Sequence, residues 1–249
     1  MKVSSVKVGI TTATFNNADT ISRTIESVLN QTYSNIEYII MDGLSEDNTV
    51  EIARSYEEKF REKNIPFKVV SEKDSGMYDA INKATALLDV ELVGNVNADD
   101  FYEADAVEKM VKLYEKEKYD AAWADLRLIT PKGEVIKKAK LNKKIWTTTG
   151  WCHPTMFATK KLLTEYPYIC HDMYDDFDFI TAAFKTGKKI CVLNEVVSNF
   201  NFGGQSTKKS LSEAMNRVNI TYGIYKRHGM SKLYYLHRVI FEMIKLVIS

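Results

Sequence analysis

The sequence predicts an α/β fold in which a mostly parallel, Rossmann-like sheet carries helices on both faces. Short runs rich in β-branched residues alternate with segments of helical periodicity through the first half of the chain. The strand-like runs are nearly continuous in apolar residues, which is typical of parallel strands buried on both faces. Helices of this length between consecutive strands indicate right-handed βαβ units.

Four strands, each followed by a helix, are predicted up to residue 118. The predicted strands cover residues 6–12, 36–41, 67–70 and 90–96. The helices that follow them cover residues 21–29, 48–60, 77–88 and 104–118. Asp19 is a plausible N-cap of the first helix, because a short polar side chain precedes its first apolar residue.

After residue 119 the pattern changes. Pro131 and Gly133 predict the turn of a β-hairpin, and a helix over residues 175–187 is predicted to end at Gly187. Residues 188–193 and 196–202 are further strand candidates, and the chain is predicted to be helical from Ser206 onwards. No Pro/Gly-rich linker divides it. We therefore expect one domain, residues 1–205, divided near residue 118, and a helical extension over 206–249.

Composition excludes several classes of protein. The 249 residues are 45% hydrophobic and 27% charged, which suits a globular chain with a full core. A net charge of +1 gives no global field for nucleic acid, so we expect no nucleic-acid partner. Cys152, Cys170 and Cys191 are widely spaced, which argues against a disulfide framework or a zinc site. With neither a signal-peptide core nor a membrane-spanning stretch, we expect a cytoplasmic protein, free or on a membrane surface.

Acidic residues follow three of the predicted strands. They are Asp42, Glu72 with Asp74, and the neighbouring pair Asp99 and Asp100. The carboxyl ends of parallel strands meet at one edge of the sheet, where ligands bind. Carboxylates gathered there repel each other unless a cation or good hydrogen-bond donors are present. A single Asp in such a loop is also common as a turn former or helix cap, so the pair is the stronger signal of function.

The chain contains no glycine-rich phosphate loop. Neither G-x-G-x-x-G after the first strand nor G-x-x-x-x-G-K-[ST] is present. A nucleoside diphosphate bound at this edge would then need a divalent cation, which Asp100 would hold as a hard oxygen ligand. Asp99, one residue earlier, would be free to accept hydrogen bonds from ribose hydroxyls.

Several ordered motifs together resemble one enzyme family. They are "TATFNNADTISRTIESVLNQTYSNIEYIIMDGLSEDNT", "SEKDSGMYDAINKA", "NADD", "CHPTMF", "DDFDF" and "FGGQS". The chain resembles family 2 glycosyltransferases, inverting enzymes of the GT-A fold, in the branch that builds bacterial surface polysaccharides. The resemblance covers about residues 5–206 and implies a hexosyltransferase that uses Mn²⁺ or Mg²⁺. It further implies a nucleotide-sugar donor, with UDP by family habit, and a glycan or undecaprenyl-pyrophosphate-linked acceptor.

The resemblance also implies roles for single residues. Asp42 would read the nucleotide base, Asp99 the ribose and Asp100 the metal, while Asp176 would be the general base. Gly43 stands where many members carry a second acid, so the group that reads the base stays open. The catalytic pair is Asp-Asp rather than the usual Glu-Asp, so Asp175 is the competitor of Asp176.

Further residues of these motifs complete the predicted site. Those expected near the nucleotide sugar are Thr12, Ala13, Glu72, Asp74 and Asn82. Those expected near the acceptor or the donor sugar are Trp151, His153, Gly203 and Gly204. The glycine pair would close over the diphosphate, although a simple tight turn explains it equally well.

The C-terminal segment has an amphipathic pattern. One helical face carries Leu236, Val239, Ile240, Met243, Ile244 and Val247. This stripe docks on its own domain, lies in the headgroup region of an anionic membrane on the cytoplasmic face, or contacts a dimer partner. The lysine-rich run 137–144 is interpreted as a solvated face. The sequence does not determine the oligomeric state.

Three other functions share features with this sequence. A phosphatase of the haloacid dehalogenase type needs a second Asp two positions after Asp42, where this chain has Leu44. A sugar nucleotidyltransferase would open with a loop rich in glycine and arginine, which "TATFNNAD" is not. A non-catalytic, nucleotide-sugar-binding partner of another transferase stays as the alternative of a different class.

Overall fold

The strands form a single sheet in the computed structural model, which describes residues 5–142, 146–147, 150–201 and 211–248. The strands are β1 (Val8–Thr14), β2 (Ile36–Asp42), β3 (Phe67–Ser71), β4 (Leu92–Asn95), β5 (Phe101–Tyr102), β6 (Ala121–Thr130), β7 (Gly133–Lys137), β8 (Phe157–Thr159) and β9 (Ile190–Asn201). The helices are α1 (Ile21–Leu29), α2 (Thr49–Arg54), α3 (Glu57–Glu62), α4 (Met77–Leu87), α5 (Ala106–Glu117), α6 (Lys160–Glu165), α7 (Asp175–Lys185), α8 (Leu211–Arg227) and α9 (Leu233–Ile248).

The strand order is β3-β2-β1-β4-β8-β6-β9-β5, with β7 paired to β6. All pairs among β1 to β4 are parallel. The later strands are mixed, since β8 is antiparallel to both β4 and β6 while β9 runs parallel to β6. The predicted α/β fold is therefore confirmed, with a parallel first half and a mixed second half. Because β8 lies between β4 and β6, the two predicted halves share one sheet.

Both faces of the sheet are covered by helices. Side chains alternate between faces along a strand, so Tyr38 and Ile40 of β2 pack into one core with α1, α3 and α5. Ile39 and Met41 pack into the other core, with α4 and α7. Burial on both faces explains the nearly unbroken apolar run of β2 in the sequence.

Some local predictions were wrong. The helix expected over residues 48–60 is divided into α2 and α3, where the Ser55 hydroxyl donates to the Ile52 carbonyl oxygen (2.6 Å) and competes with the helical hydrogen bonds. The two strands expected after residue 188 are one irregular strand, β9. Asp19 does not cap α1, since Thr20 is the residue before the helix.

The C-terminal helices pack against each other, and α9 has its polar face turned inward. Arg238 and Glu242 are buried and form an ion pair (2.9 Å), and Arg217 of α8 also pairs with Glu242 (2.8 Å). The large apolar residues exposed on α9 are Leu233, Leu236, Ile240, Met243 and Ile244. Four residues of the predicted stripe, Leu236, Ile240, Met243 and Ile244, are therefore not docked on the domain, while Val239 is half-buried. None of the helices in the described ranges is both long and apolar enough to cross a bilayer.

Candidate active site

A cleft of about 910 Å³ opens at the carboxyl ends of β1 to β4. Its lining includes Ala13 near the end of β1, Phe15 after β1, Gly43 after β2, Asp74 after β3, and Asn97 and Asp99 after β4. The opposite wall is the start of α4 and the segment 170–173. This is the edge where open parallel sheets bind their ligands.

The cleft is acidic. Among the described residues that line it, the acidic ones are Asp74, Asp79, Asp99 and Asp172. Lys83 pairs with Asp79 (3.3 Å) and, after the backbone N–H of Ser75, helps to lower the pKa of Asp79. No lysine or arginine of the described chain lines this cleft. An anionic ligand therefore needs a cation to enter it.

The predicted carboxylate pair is divided between the cleft and the core. Asp99 lines the cleft, whereas Asp100 is 0% exposed. The Asp100 carboxylate accepts hydrogen bonds from the Asn201 N–H (3.3 Å) and the Asn97 side-chain amide (3.3 Å). Burial, together with the neighbouring charge of Asp99, raises the pKa of Asp100 to about 8. Asp100 does not line the cleft, so this placement gives no support to its predicted role as metal ligand, whereas the ribose role of Asp99 stays a prediction.

The cleft fits a cation that arrives with its ligand better than a resident metal. In the described part of the chain, no group of three or more His, Cys, Asp or Glu side chains is placed to hold a metal ion. Mg²⁺ and ions that bind similarly are often held by one or two carboxylates together with substrate phosphates. Asp99 in an acidic cleft supplies such a carboxylate.

Asp42 and Thr12 lie behind the cleft. Asp42 is fully buried, and its carboxylate accepts hydrogen bonds from the N–H and hydroxyl of Ser45 and from the Ser71 hydroxyl (2.6 Å). The Thr12 hydroxyl donates to the Val96 carbonyl oxygen (2.8 Å). Asp42 has no exposed surface, so this placement gives no support to the predicted contact between its carboxylate and the base, which stays a prediction.

The other predicted donor-site residues divide in the same way. Ala13 and Asp74 line the cleft. Glu72 is exposed beside Lys83 (3.3 Å) and Asn82 exchanges two hydrogen bonds with the Tyr168 backbone, so neither of them lines it. Gly203 and Gly204 lie outside the described residues.

Asp176 lies in the first turn of α7 and is held from two sides. Its Oδ1 accepts from the Tyr78 hydroxyl (3.1 Å) and its Oδ2 from the indole N–H of Trp151 (2.8 Å). Burial, with the charge of Asp176 adding to it, raises the pKa of Tyr78 well above its usual range, so Tyr78 remains a donor. Each carboxylate oxygen keeps a second lone pair for a ligand.

The other two acids of this turn are used within the fold. Asp175 accepts from the backbone N–H groups of His171 (2.8 Å) and Asp172 (3.3 Å). Asp178 contacts Arg227 (3.3 Å) and His228 (2.9 Å) of the α8 region. Asp176 differs from both because its carboxylate lies at the wall of a cavity.

A second cavity, of about 440 Å³, is lined by Asp176, which is not among the residues that line the cleft. We call it the basic pocket; its lining includes Lys137, Lys138, Lys140, Trp151, Asp176 and Arg238. Tyr78 lines the acidic cleft and Trp151 lines the basic pocket, while Met173 lines both. Asp176 is thus bonded to one residue of each cavity.

His153 lies behind this carboxylate, outside the lining of either cavity. It is buried, its Nε2 is 3.1 Å from the Tyr168 hydroxyl, and its ring packs edge-on against Tyr78 (centroids 6.0 Å apart). Burial lowers the pKa of His153, so the ring is neutral. It supports the residues that hold Asp176.

Sequence reasoning missed several residues of the site, among them Phe15 and Tyr78. Phe15 is exposed at the cleft, and its position directly after β1, as Asp99 follows β4, is a signal for the same sheet edge. Tyr78 had no such signal, because it bonds Asp176 across 98 positions of the chain.

Known proteins resemble this chain in sequence. The family model described as glycosyl transferase family 2 matches residues 10–187. A hyaluronan synthase of Pasteurella multocida is 28% identical over 242 residues, covering 88% of this chain and 24% of that protein. The chain thus spans about a quarter of the length of that relative.

Two solved structures share the fold. Residues 1–349 of Staphylococcus aureus TarS in complex with UDP-GlcNAc superpose with a TM-score of 0.74 at 15% identity, covering 95% of this chain and 71% of that one. The mannosyltransferase PcManGT from Pyrobaculum calidifontis, in complex with GDP-Man and Mn²⁺, gives 0.68 at 15% identity, covering 89% and 64%.

Proposed function

The chain belongs to glycosyl transferase family 2, and from this premise we propose an inverting, metal-dependent reaction. A hexosyl unit passes from a nucleoside-diphosphate donor in the acidic cleft to a hydroxyl of an acceptor that enters from the basic pocket. The acceptor is a glycan or a lipid-pyrophosphate-linked oligosaccharide of surface polysaccharide synthesis. The observation that carries the proposal is the position of Asp176, which is bonded to Tyr78 of one cavity and Trp151 of the other.

Asp176 acts as the general base. Its free lone pair accepts the proton of the acceptor hydroxyl as the oxygen attacks the anomeric carbon, and the bond to the diphosphate oxygen breaks on the opposite face. The configuration inverts, and the nucleoside diphosphate leaves. General-base assistance of this kind contributes about 10²–10⁴-fold. Tyr78 and Trp151 hold the carboxylate in place by one hydrogen bond to each oxygen.

Asp99 holds Mn²⁺ or Mg²⁺ in this proposal, in place of Asp100. The support is its place in a cleft whose charged residues, in the described chain, are aspartates. Such a cation supplies Lewis-acid stabilisation of the departing diphosphate. TarS was solved with a UDP-sugar, and PcManGT with a GDP-sugar and Mn²⁺. We choose UDP as the carrier.

A thermal-shift titration tests the donor site. We expect UDP and Mn²⁺ together to stabilise the protein by about 2.7 kcal/mol at a hundredfold excess over Kd, and neither alone to do so. Asp99→Asn should abolish the cooperation between them, whereas Asp19→Asn, at an exposed acid away from the cleft lining, should not. Equal UDP binding with and without the cation would contradict the proposal.

The same protein distinguishes an enzyme from a non-catalytic partner subunit. An inverting transferase hydrolyses its donor slowly when no acceptor is present, so release of UDP from a UDP-sugar in the presence of Mn²⁺ is expected. Binding without any release, for every donor that stabilises the protein, would favour the partner subunit.

We also propose that α9 rests on the surface of an anionic bilayer. Its exposed arc includes large apolar residues, and two exposed lysines precede it, Lys226 in the last turn of α8 and Lys232 directly before α9. Glu242 is the single acid between residues 226 and 248, and it is buried against Arg238 and Arg217. An apolar arc whose neighbouring exposed charges are basic fits an anionic headgroup layer.

Flotation with vesicles tests the membrane contact. Binding is expected to phosphatidylglycerol vesicles, weakly or not at all to phosphatidylcholine vesicles, and to be lost in Ile240→Gln/Ile244→Gln. Val135→Gln, at an exposed apolar residue of the β6–β7 hairpin, is the matched control. If the double variant floats as the parent protein does, the proposal fails.

A further inference from the structure

The lysine-rich segment lines a cavity and is not merely a solvated face. Lys137, Lys138 and Lys140 all line the basic pocket, beside Trp151 and Asp176. Lys138 and Lys140 are exposed, as that interpretation of residues 137–144 expects, and Lys137 is half-buried, but all three also line this pocket. Lys143 and Lys144 lie outside the described residues.

The fold holds this segment in place. Asp125 is fully buried and accepts from the ammonium of Lys138 (2.7 Å) and the N–H of Ala139 (2.8 Å). The Gly150 carbonyl oxygen accepts from the N–H of Lys140 (3.1 Å) and the indole N–H of Trp123 (2.7 Å). The backbone of the segment is thus positioned by buried groups.

Gly150 is required for this approach. Its φ is +86°, and a Cβ there would lie 2.6 Å from Cβ and 2.8 Å from the backbone N of Lys140. A side chain at this position would be strained and would displace the lysine segment.

The lysines differ in how their charges are balanced. Lys138 is neutralised by Asp125. Lys137 donates to the Trp151 carbonyl oxygen (2.7 Å), a neutral acceptor that leaves its charge in place. Neither Lys137 nor Lys140 forms an ion pair with an acidic residue of the described chain. Two ammonium charges therefore face a pocket in which Asp176 is the single acid of the described lining.

We propose that Lys137 and Lys140 bind a phosphate group of the acceptor, next to the hydroxyl that Asp176 deprotonates. The inference rests on the proposed function and names the chemistry of the acceptor. Two ammonium charges match the two charges of a phosphate monoester or diphosphate. Trp151 connects the two groups, since Lys137 bonds its carbonyl oxygen and Asp176 bonds its indole N–H. A phosphate bound to Lys137 would thus be separated from the carboxylate of Asp176 by a single intervening residue, Trp151.

The donor diphosphate is a poor occupant of this pocket. The acidic cleft is lined by aspartates, so a diphosphate binds there only together with a cation, whereas the lysines of the basic pocket can bind an anion directly. The two anionic groups of the reaction would thus be kept apart by charge, in two cavities that share contact with the residues holding Asp176. This separation orients the acceptor, because only one end of it carries the phosphate.

Lysine footprinting in the presence of EDTA tests the site without the donor or a metal. The rate of amine acylation at each lysine is followed by mass spectrometry while inorganic phosphate, a short alkyl phosphate or acetate is added. Lys137 and Lys140 should be protected, and Lys132, exposed in the β6–β7 turn, should not. The alkyl phosphate should protect at lower concentration than inorganic phosphate, and acetate should not protect.

Several outcomes would overturn the proposal. Equal protection of Lys132 would show that the anion slows acylation of lysines in general. Protection by inorganic phosphate but not by the alkyl phosphate would indicate a site for the free ion. Protection by acetate at the same concentration would show that the site does not prefer phosphate. The Lys137→Gln/Lys140→Gln variant should bind the alkyl phosphate about tenfold more weakly for each lysine replaced. Lys132→Gln is the matched control, and unchanged binding in the double variant also overturns the proposal.

A second variant keeps the lysines and changes their position. Gly150→Ala should reduce the protection of Lys140 by alkyl phosphate. Retained protection in a folded Gly150→Ala protein would contradict the built arrangement of the site. Titration with UDP and Mn²⁺ reports on the acidic cleft independently, so failure of the donor proposal and failure of this one are distinguishable.

Discussion

Replacing Asp176 by Asn should remove the base while leaving its surroundings intact. Trp151 offers only an N–H, whereas the Tyr78 hydroxyl both donates and accepts. The amide oxygen of the introduced side chain would therefore accept from the Trp151 indole, and its NH₂ would donate to the Tyr78 hydroxyl. Both contacts of the parent protein, at 2.8 Å and 3.1 Å, keep a partner.

The expected effects on activity and stability therefore differ. The amide has no basic lone pair, so kcat should fall by about 10²–10⁴-fold. Donor affinity should not change, because Asp176 does not line the acidic cleft. With both hydrogen bonds retained, the free energy of unfolding should change by less than about 1 kcal/mol.

Asp175→Asn is the matched comparison. Both oxygens of Asp175 accept backbone N–H groups, from His171 and Asp172. An amide supplies one acceptor and turns its NH₂ toward the other N–H, which leaves a buried donor unpaired and costs about 1–3 kcal/mol. We therefore expect Asp175→Asn to lower stability clearly and kcat much less than Asp176→Asn does.

Urea unfolding and single-turnover transfer from a saturating donor, measured on both variants, test whether Asp176 or Asp175 is the base. The calorimetric affinity for UDP with Mn²⁺ confirms that the donor site is intact. Should Asp175→Asn lose transfer while Asp176→Asn keeps it, the assignment of the base is wrong. Should Asp176→Asn unfold much more readily, the predicted rearrangement of its hydrogen bonds is wrong.

Three further predictions concern the residues around the site. Trp151→Phe removes one charge-assisted hydrogen bond to Asp176, worth about 1.5–3 kcal/mol. We therefore expect kcat to fall by about 10–100-fold while the KM for the donor stays unchanged. A change in the donor KM alone would place Trp151 in the donor site instead. Glu242→Gln leaves Arg217 and Arg238 together without their shared carboxylate and should lower the unfolding free energy in urea by about 3–5 kcal/mol, whereas Glu195→Gln, at an exposed acid, should have little effect. Burial lowers the pKa of His153, so below about pH 6.5 the unfolded chain takes up a proton that the native ring does not, and stability falls by up to about 1.4 kcal/mol per pH unit. His153→Asn should flatten this pH dependence of stability between about pH 5 and pH 7, the range in which an unperturbed histidine titrates. The control His237→Asn, at an exposed histidine, should leave the dependence unchanged. The same slope in His153→Asn as in the parent protein would show that another group titrates.

The elements of the first half were predictable because their signals are local. Strands β1 to β4 and helices α1, α4 and α5 each carry their own apolar periodicity, and parallel strands must end at a common edge. The acidic edge followed from this rule, and so did the places of Asp74 and Asp99. The short strands β5 and β8 were missed, because two or three residues are too few to show a period.

Within the site, the tertiary structure determined which acids face a ligand. Asp42 and Asp100 follow strands as Asp74 and Asp99 do, yet both are fully buried and hydrogen-bonded. Neighbouring residues of a loop can point to opposite sides, and no sequence pattern records which side is chosen. Tyr78 and Asp176 meet across 98 positions, so their contact depends on how α4 packs beside α7.

The sequence by itself determined the family, the α/β alternation and the amphipathic pattern of α9. Only the tertiary structure decided that α9 turns its charged face inward. An apolar stripe normally faces the core, because burying it releases water at little cost, whereas a buried charge must find a partner. Here Glu242 lies between Arg217 and Arg238, so the polar face is paired inside and the apolar face remains outside. Those partners come from two different helices, and that is why the periodicity of one helix does not reveal its orientation.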